Sequence, residues 1–173
     1  MSSSIRSGCC TFTGRAPRST CATFIRRPLP TPLLPSTEKR ARRWSSGFWI
    51  FCKTIFFAVP GSLYAVLEED GSWVSALRLA PVEGGWYLEA LETDPDFRRR
   101  GCAKRLIRQV IAKLEEDGPV TLWDSVAKTN AASLATHSSC GFVIVRDEGY
   151  SYRTGETYPN DWGLRYRTPS ESR

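Results

Sequence analysis

The sequence is poor in the residues that build metal sites. It contains one histidine, His137, and none of its six cysteines forms a C-x-x-C pair. A structural zinc site needs four such ligands at short, regular spacings, and a disulfide framework needs a small secreted chain dense in cysteine. We therefore predict no metal cofactor and no disulfide framework. Scattered free thiols suit a reducing compartment, so we predict a cytoplasmic location.

Long apolar runs are also missing. The most apolar stretch, residues 47–59, is about thirteen residues long and contains Lys53. A membrane-spanning helix needs roughly 20 apolar residues, and a secretory signal would begin nearer the N-terminus. We therefore expect no membrane partner. The first 37 residues contain no acid, as in an organellar transit peptide, but a disordered extension and a wrongly assigned start are alternatives.

The net positive charge comes from one end of the chain. The net charge is +6, yet residues 1–46 carry nine bases and one acid, whereas residues 47–173 carry 15 bases and 17 acids. The main body is therefore nearly neutral. A nucleic-acid-binding function would depend on the tail alone, so nucleic acid is not an expected partner.

Hydrophobic patterning divides the chain into four segments. We predict a disordered basic extension over 1–46, an apolar linker or first element over 47–61, a folded domain over 62–168 and a short tail over 169–173. The folded segment alternates strand patterns with two helical patterns, at about 102–116 and 130–140. This order predicts an α/β fold with a mixed, mostly antiparallel sheet flanked by helices.

A basic loop precedes the stronger of the two predicted helices. It reads Arg98-Arg99-Arg100-Gly101-Cys102-Ala103 and follows a strand that ends near Asp94-Pro95. The first-turn N–H groups of a helix lack partners inside the helix and attract anions. Small residues at 101 and 103 let the backbone approach such an anion closely. The loop therefore predicts a phosphate site, although neither a dinucleotide fingerprint nor a Walker loop is present.

Two stretches of the chain resemble one enzyme family. Residues 91–107 resemble the acetyl-CoA-binding motif of the GCN5-related N-acetyltransferase (GNAT) family, whose loop reads Gln/Arg-x-x-Gly-x-Gly/Ala. Residues 130–142, which run from an asparagine to a closing Gly-Phe, resemble a second segment of that family. The resemblance covers about 62–166 and implies a GNAT-like fold that transfers an acetyl group from acetyl-CoA to a primary amine.

The resemblance also implies roles for individual residues. The backbone near Leu91 and Thr93 would bind the pantetheine arm, and Asn130 with Ser133 would lie near the thioester. His137 stands where many members have a tyrosine that protonates the departing thiolate. The diphosphate would be held by the amides and side chains of Arg98, Arg99, Arg100, Gly101, Cys102, Ala103 and Lys104.

The proposed reaction needs a base, because an alkyl ammonium with a pKa near 10.4 is almost fully protonated at neutral pH. Glu92 is our first candidate and Glu89 our second. Strand residues three apart point to opposite faces, so we expect at most one of them to face a shared pocket. For each glutamate, a solvated strand acid is the alternative.

The N-terminal region departs from the family pattern. The family places a strand and one or two helices before its first hairpin, and residues 1–60 show no helical pattern. One hypothesis is a frame error upstream of Pro60. The alternative function is therefore a non-catalytic or degenerate acyl-CoA-binding domain whose basic tail contacts a partner or nucleic acid. The acceptor would be a small-molecule or peptide amine, and the last strand offers an edge that could pair in a homodimer.

Overall fold

The structure, a computed structural model, describes residues 22–25, 60–70 and 72–169. Seven strands form one sheet in the order β1-β2-β3-β4-β5-β9-β6, and β7 pairs with β8 in a small second sheet. The strands are β1 (Ala22–Ile25), β2 (Leu63–Glu69), β3 (Ser72–Val82), β4 (Gly85–Thr93), β5 (Thr121–Ala127), β6 (Val143–Arg146), β7 (Gly149–Tyr150), β8 (Thr157–Tyr158) and β9 (Asp161–Arg167).

The main sheet is mixed and mostly antiparallel, as predicted. Only the β4–β5 pair is parallel, and every other neighbouring pair is antiparallel. The helices are α1 (Cys102–Glu115) and α2 (Ala131–Ser138), with a short 3₁₀ helix at Pro95–Phe97. Both α-helices lie where the hydrophobic periodicity places them, to within two residues at each end. No helix in the described ranges is long and apolar enough to cross a bilayer.

Helix α1 packs on the sheet through one apolar stripe. Leu106, Ile107 and Val110 are fully buried and belong to one core with Leu77 and Leu79 of β3. Burying a side chain of this size contributes about 1.5–3 kcal/mol. The helix begins after Gly101, and Gly118 follows its last turn with a positive φ of 123°. The stripe fixes the start of α1, and hence the basic loop, against the ends of the strands.

Strand β4 contains a bulge that reverses part of its side-chain alternation. Glu89 pairs with Arg78 and Glu92 pairs with Ala76, while Ala90 has a positive φ of 50°. Residues 76 and 78 are two apart in β3 and share a face, so their partners share that face as well. The expectation that Glu89 and Glu92 point to opposite faces is therefore wrong. The extra residue at the bulge brings both carboxylates to the face opposite α1.

Two further features differ from the sequence-based expectations. Strand β1, at Ala22–Ile25, lies within the predicted extension 1–46 and pairs antiparallel with β2. The last strand, β9, is not an edge, because it lies between β5 and β6. Both differences come from pairing between distant segments, which local patterning does not encode. The rest of 1–46, nearly all of 47–61 and the end of the 169–173 tail lie outside the described residues, so the predicted segment boundaries stay predictions.

Replacing Ala90 by glycine should stabilise the fold. The left-handed conformation destabilises a residue with a Cβ by about 1–2 kcal/mol, whereas glycine adopts it with little strain. We expect Ala90→Gly to raise the free energy of unfolding by up to about 1 kcal/mol in urea denaturation. Ala80→Gly, in the regular part of β3, is the control and should lower it by about 0.5–1 kcal/mol. Equal losses in both variants would contradict the bulge at Ala90.

Candidate functional site

The site is built around a gap between two parallel strands. Strands β4 and β5 pair only at Trp86–Leu122 and Tyr87–Trp123, after which the register ends. The backbone from Leu88 to Thr93 stays paired with β3 on its other side. Its N–H and C=O groups on the β5 side therefore face a wedge-shaped opening. Buried backbone groups need partners, so the opening suits an extended ligand with amide groups of its own.

The basic loop lies at the open end of that wedge. The Oδ1 atom of Asp94 accepts a hydrogen bond from Asp96 N at 2.9 Å and caps the short helix. Arg99 and Gly101 then take left-handed conformations, with φ of 60° and 74°. Gly101 is the N-cap of α1 and offers no side chain to the first-turn amides. Left-handed residues on either side of Arg100 turn successive backbone N–H groups toward one point, which is an arrangement that binds phosphate.

The arginines of the loop have different surroundings. Arg98 donates from Nε to the carbonyl oxygen of Thr93 at 3.3 Å, which ties the loop to the end of β4. The guanidinium of Arg100 lies 5.0 Å from the centre of the Phe97 ring. Arg98, Arg99 and Arg100 are all exposed. Their charges can therefore reach a bound anion from the solvent side.

The remaining loop residues contribute mainly backbone. Cys102 is buried, and its Sγ accepts from Arg105 Nη2 at 3.4 Å. Arg105 also forms an ion pair with Glu69 of β2. The Cys102 thiol therefore points into the fold, and its amide is what it can offer a ligand. Ala103 and Lys104 are half-buried in the first turn, where their amides have no partner inside the helix.

Two carboxylates line the face of β4 opposite α1. Burial raises the pKa of Glu92, and the nearby guanidinium groups of Arg78 and Arg98 partly oppose that shift. The Glu89 carboxylate has an oxygen that is buried and accepts no hydrogen bond within the part of the chain described. Arg153 Nε lies 3.9 Å from that Oε1. A partly desolvated carboxylate beside the opening has the character of a general base.

An aromatic cluster adjoins the carboxylates, and the sequence analysis did not find it. Tyr152 lies at its centre, with ring centroids 4.9 Å from Trp123, 5.8 Å from Tyr87 and 4.8 Å from Tyr150. Ser125 accepts at Oγ from the Tyr150 N–H at 3.0 Å. Burial raises the pKa of Tyr87 to about 12, so its hydroxyl keeps its proton. Tyr87 and Glu89 are two apart in one strand, a spacing that could have signalled a shared face.

Helix α2 brings together three residues that the sequence predicts at the site. Asn130 is the N-cap, and its Oδ1 accepts from Ser133 N at 3.1 Å. Ser133 Oγ lies 3.3 Å from His137 Nδ1. Asn130 is exposed, whereas His137 is only 1% exposed. Ser133 therefore contacts His137, and the imidazole ring lies inside the fold.

The partner of His137 is a buried aspartate that the sequence analysis missed. Asp124 Oδ2 lies 2.7 Å from His137 Nε2. Burial lowers the pKa of His137, but the contact with Asp124 outweighs this and leaves it raised. Burial also raises the pKa of Asp124, which His137 only partly offsets. Asp124 alternates with the buried Leu122 and Val126 in β5, and a carboxylate in such a row is the signal for a buried partner.

Within the described ranges no group of three or more histidine, cysteine, aspartate or glutamate side chains converges.

Comparison with known proteins identifies a matching family and partial sequence relatives. The family model described as Acetyltransferase (GNAT) family matches residues 25–142. The ribosomal protein bS18-alanine N-acetyltransferase of Salmonella typhimurium is 46% identical over 52 residues, which are 30% of this chain and 35% of that protein. The match with the curated relatives thus spans about a third of their length.

Solved structures share the fold across most of the chain. The ribosomal-protein-S18-alanine N-acetyltransferase from Escherichia coli superposes with a TM-score of 0.58 at 24% identity, covering 87% of this chain and 97% of that one. A PaiA N-acetyltransferase from Thermoplasma acidophilum, solved in complex with coenzyme A, gives a TM-score of 0.60 at 14% identity over 85% and 99%. These likenesses confirm the predicted fold.

The buried His137–Asp124 pair should make stability depend on pH. Because the folded-state pKa of His137 is raised, the stabilisation is complete below about pH 6.5 and is lost as pH rises through the folded-state value. The raised pKa of Asp124 acts in the same direction. We expect the free energy of unfolding to fall by up to about 1.4 kcal/mol per pH unit in that window.

Urea denaturation at several pH values from about 6 to about 9 measures this effect. His137→Gln should flatten the profile, because glutamine does not titrate. A wild-type profile that rises across this range, or one that the variant leaves unchanged, would show that the pair does not titrate as described.

Proposed function

Because the chain belongs to the acetyltransferase (GNAT) family, we propose that it transfers an acetyl group from acetyl-CoA to a primary amine. The observation that carries the proposal is the gap between β4 and β5 with a positive-φ loop at its open end. The gap exposes strand backbone that an extended arm with amide groups can pair with. The loop gathers amides where a diphosphate would lie. Together they suit a coenzyme A thioester better than a simple anion.

Within this proposal each part of the donor has a defined place. The backbone of Leu91 and Thr93 pairs with the amides of the pantetheine arm. The amides from Arg99 to Lys104 bind the diphosphate, with charge added by the exposed arginines. Asn130 and Ser133 border the opening from the side of α2. The diphosphate thus meets the N-terminus of α1, where the helix dipole favours negative charge.

The acceptor amine reaches the donor from the face that carries Glu89 and Glu92. One carboxylate removes a proton from the ammonium, directly or through water. The free amine then attacks the thioester carbonyl, the N–C bond forms, the C–S bond breaks, and the departing thiolate takes up a proton. A thiol pKa near 8.5 means that this thiolate needs little help from an acid. Burial around Glu92 suits it to the role of base.

The acceptor is an amine of a protein or of a small molecule. The Salmonella typhimurium relative is named for a protein alanine, which supports a peptide N-terminus as the first acceptor to test. Free thiols at Cys102 and Cys140 support action in the reducing cytoplasm. A homodimer would pair through β1 or β6, because these two strands are the edges of the main sheet in the described ranges.

Replacing Gly101 by alanine should weaken acetyl-CoA binding. Its φ of 74° strains any residue with a Cβ, and a built Cβ meets nothing within 4 Å, so the fold itself tolerates the change. Restoring the binding conformation costs the variant about 1–2 kcal/mol. We therefore expect its affinity for acetyl-CoA, measured by calorimetry, to fall by about 5- to 30-fold.

Gly118→Ala is the matched control for this prediction. Gly118 has a φ of 123°, lies beyond the opposite end of α1 and also has open space around its Cβ position. It should cost similar stability and leave acetyl-CoA affinity unchanged. Equal affinity losses in both variants would place the binding site elsewhere.

Glu92→Gln should lower kcat by about 100-fold or more, because general bases typically contribute that much. It should also remove the acidic limb of the pH–rate profile, while acetyl-CoA affinity changes little. Glu89→Gln is the paired test, measured with a panel of amines and release of free CoA. If Glu89→Gln shows the larger loss, the two roles are exchanged. Binding without turnover on any amine would support the non-catalytic acyl-CoA-binding alternative.

A further inference from the structure

Helix α2 is held to the sheet in an unusual way. It has eight residues, and His137 is its only fully buried side chain. Leu134 packs partly against the core, but the other helix residues are alanine, serine and threonine, which bury little apolar area. Helices normally dock through an apolar stripe, as α1 does. The contact between His137 and Asp124 is therefore the main buried anchor of α2.

Asp124 lies at the point where the two strands part. Tyr87 and Trp123 form the last pair between β4 and β5, and Asp124 is the next residue of β5. Its Oδ1 accepts from the backbone N–H of Ser125 at 2.6 Å, and its Oδ2 meets His137. The carboxylate is thus fixed at the apex of the wedge. The length of the contact between Asp124 and His137 therefore determines where the N-terminus of α2 lies.

The proton count of the pair follows from its geometry. His137 Nδ1 lies 2.8 Å from the carbonyl oxygen of Ser133, and a carbonyl can only accept, so Nδ1 carries a proton. Nε2 lies 2.7 Å from Asp124 Oδ2 but outside hydrogen-bond alignment, so this close contact is favourable when a second proton gives the ring the positive charge that attracts the carboxylate. Loss of that proton leaves a buried carboxylate beside a neutral ring, without the attraction between opposite charges. The contact must then lengthen, and the helix loses its buried anchor.

From these contacts we propose that the His137–Asp124 pair positions α2, with Asn130 and Ser133, for binding acetyl-CoA, and that affinity falls as the pair loses that second proton. This inference rests on the proposed function. It assigns His137 to positioning and not to protonation of the thiolate. Both ring nitrogens are engaged inside the fold, and a ring that is 1% exposed has no route to the reacting atoms.

Other charged groups near the pair do not supply the missing proton. From β9, Asp161 adds negative charge that raises the pKa of Asp124. From α1, Arg108 donates to the Ser139 carbonyl at 3.1 Å, at the far end of α2. Burial raises the pKa of the neighbouring Cys140 thiol, which stays neutral at these pH values. Tyr87, whose pKa is raised to about 12, keeps its proton throughout.

Calorimetry of acetyl-CoA binding to the full chain, from about pH 6 to about pH 9, tests the proposal. For the wild type, affinity should fall at least about fivefold as pH rises through the raised pKa of His137. His137→Gln and Asp124→Leu, which removes the carboxylate, should each bind about as weakly as the wild type at high pH, with little pH dependence. The double variant should bind no more weakly than either single variant, because the two residues act as one unit.

Steady-state kinetics separates positioning from acid catalysis. Positioning predicts a raised KM for acetyl-CoA and a nearly unchanged kcat at saturating donor, whereas a lost acid predicts a lowered kcat at unchanged affinity. Ser138→Ala, on the exposed side of α2, is the matched control and should follow the wild type at every pH.

The outcomes distinguish this inference from the proposed function. If the wild type does not bind acetyl-CoA at any pH, the proposed function is wrong and the inference falls with it. If the wild type binds with a flat pH profile, or if His137→Gln binds as tightly as the wild type at low pH, only the inference is overturned. The wild-type profile needs no variant, so it decides the matter even if a substitution prevents folding.

Discussion

The parting of β4 from β5 after Tyr87 and Trp123 is the constraint on which the rest of the structure depends. A sheet that opens in its middle leaves backbone donors and acceptors without partners, and these cost free energy unless a ligand satisfies them. The opening also divides the sheet into two halves, because β4 and β5 pair at only two positions. Helix α1 fixes the half that contains β2, β3 and β4. Helix α2 meets the other half at Asp124, so each helix secures one side of the gap.

The two faces of the opened sheet carry different chemistry. On the face of α1 and α2, the core is apolar, and the His137–Asp124 pair is the main charged contact in its described part. On the opposite face, Glu89 and Glu92 lie beside a cluster of aromatic rings. The bulge at Ala90 creates this separation, because without it one of the carboxylates would point into the core. A strained backbone at one residue thus keeps both acids beside the opening, where an amine can reach them.

Local sequence patterns predicted the helices and turns, which depend on interactions between residues close together in the chain. The stripe of Leu106, Ile107 and Val110 specifies α1, and Gly101 marks the left-handed residue before it, so the helix and the anion loop were both predictable. Alanine is not a signal for positive φ, and nothing in the sequence near residue 90 announces a bulge. The strand order was equally hidden, because β9 enters between β5 and β6 through contacts between distant segments. Asp124 was visible as a carboxylate in an apolar row, but its partner lies 13 positions further along the chain.

His137 has a structural role that its place in the family motif does not imply, because it connects α2 to β5 through Asp124. A tyrosine at position 137 could direct its hydroxyl toward the donor, but an imidazole with a carbonyl on one nitrogen and a carboxylate on the other has no atom left to offer. The His137 ring therefore contacts the sheet through Asp124. This arrangement is compatible with acetyl transfer because the thiolate of CoA is a good leaving group near neutral pH. What the site cannot lose is the position of α2 beside the opening, and under our proposal that position depends on the protonation of one buried pair.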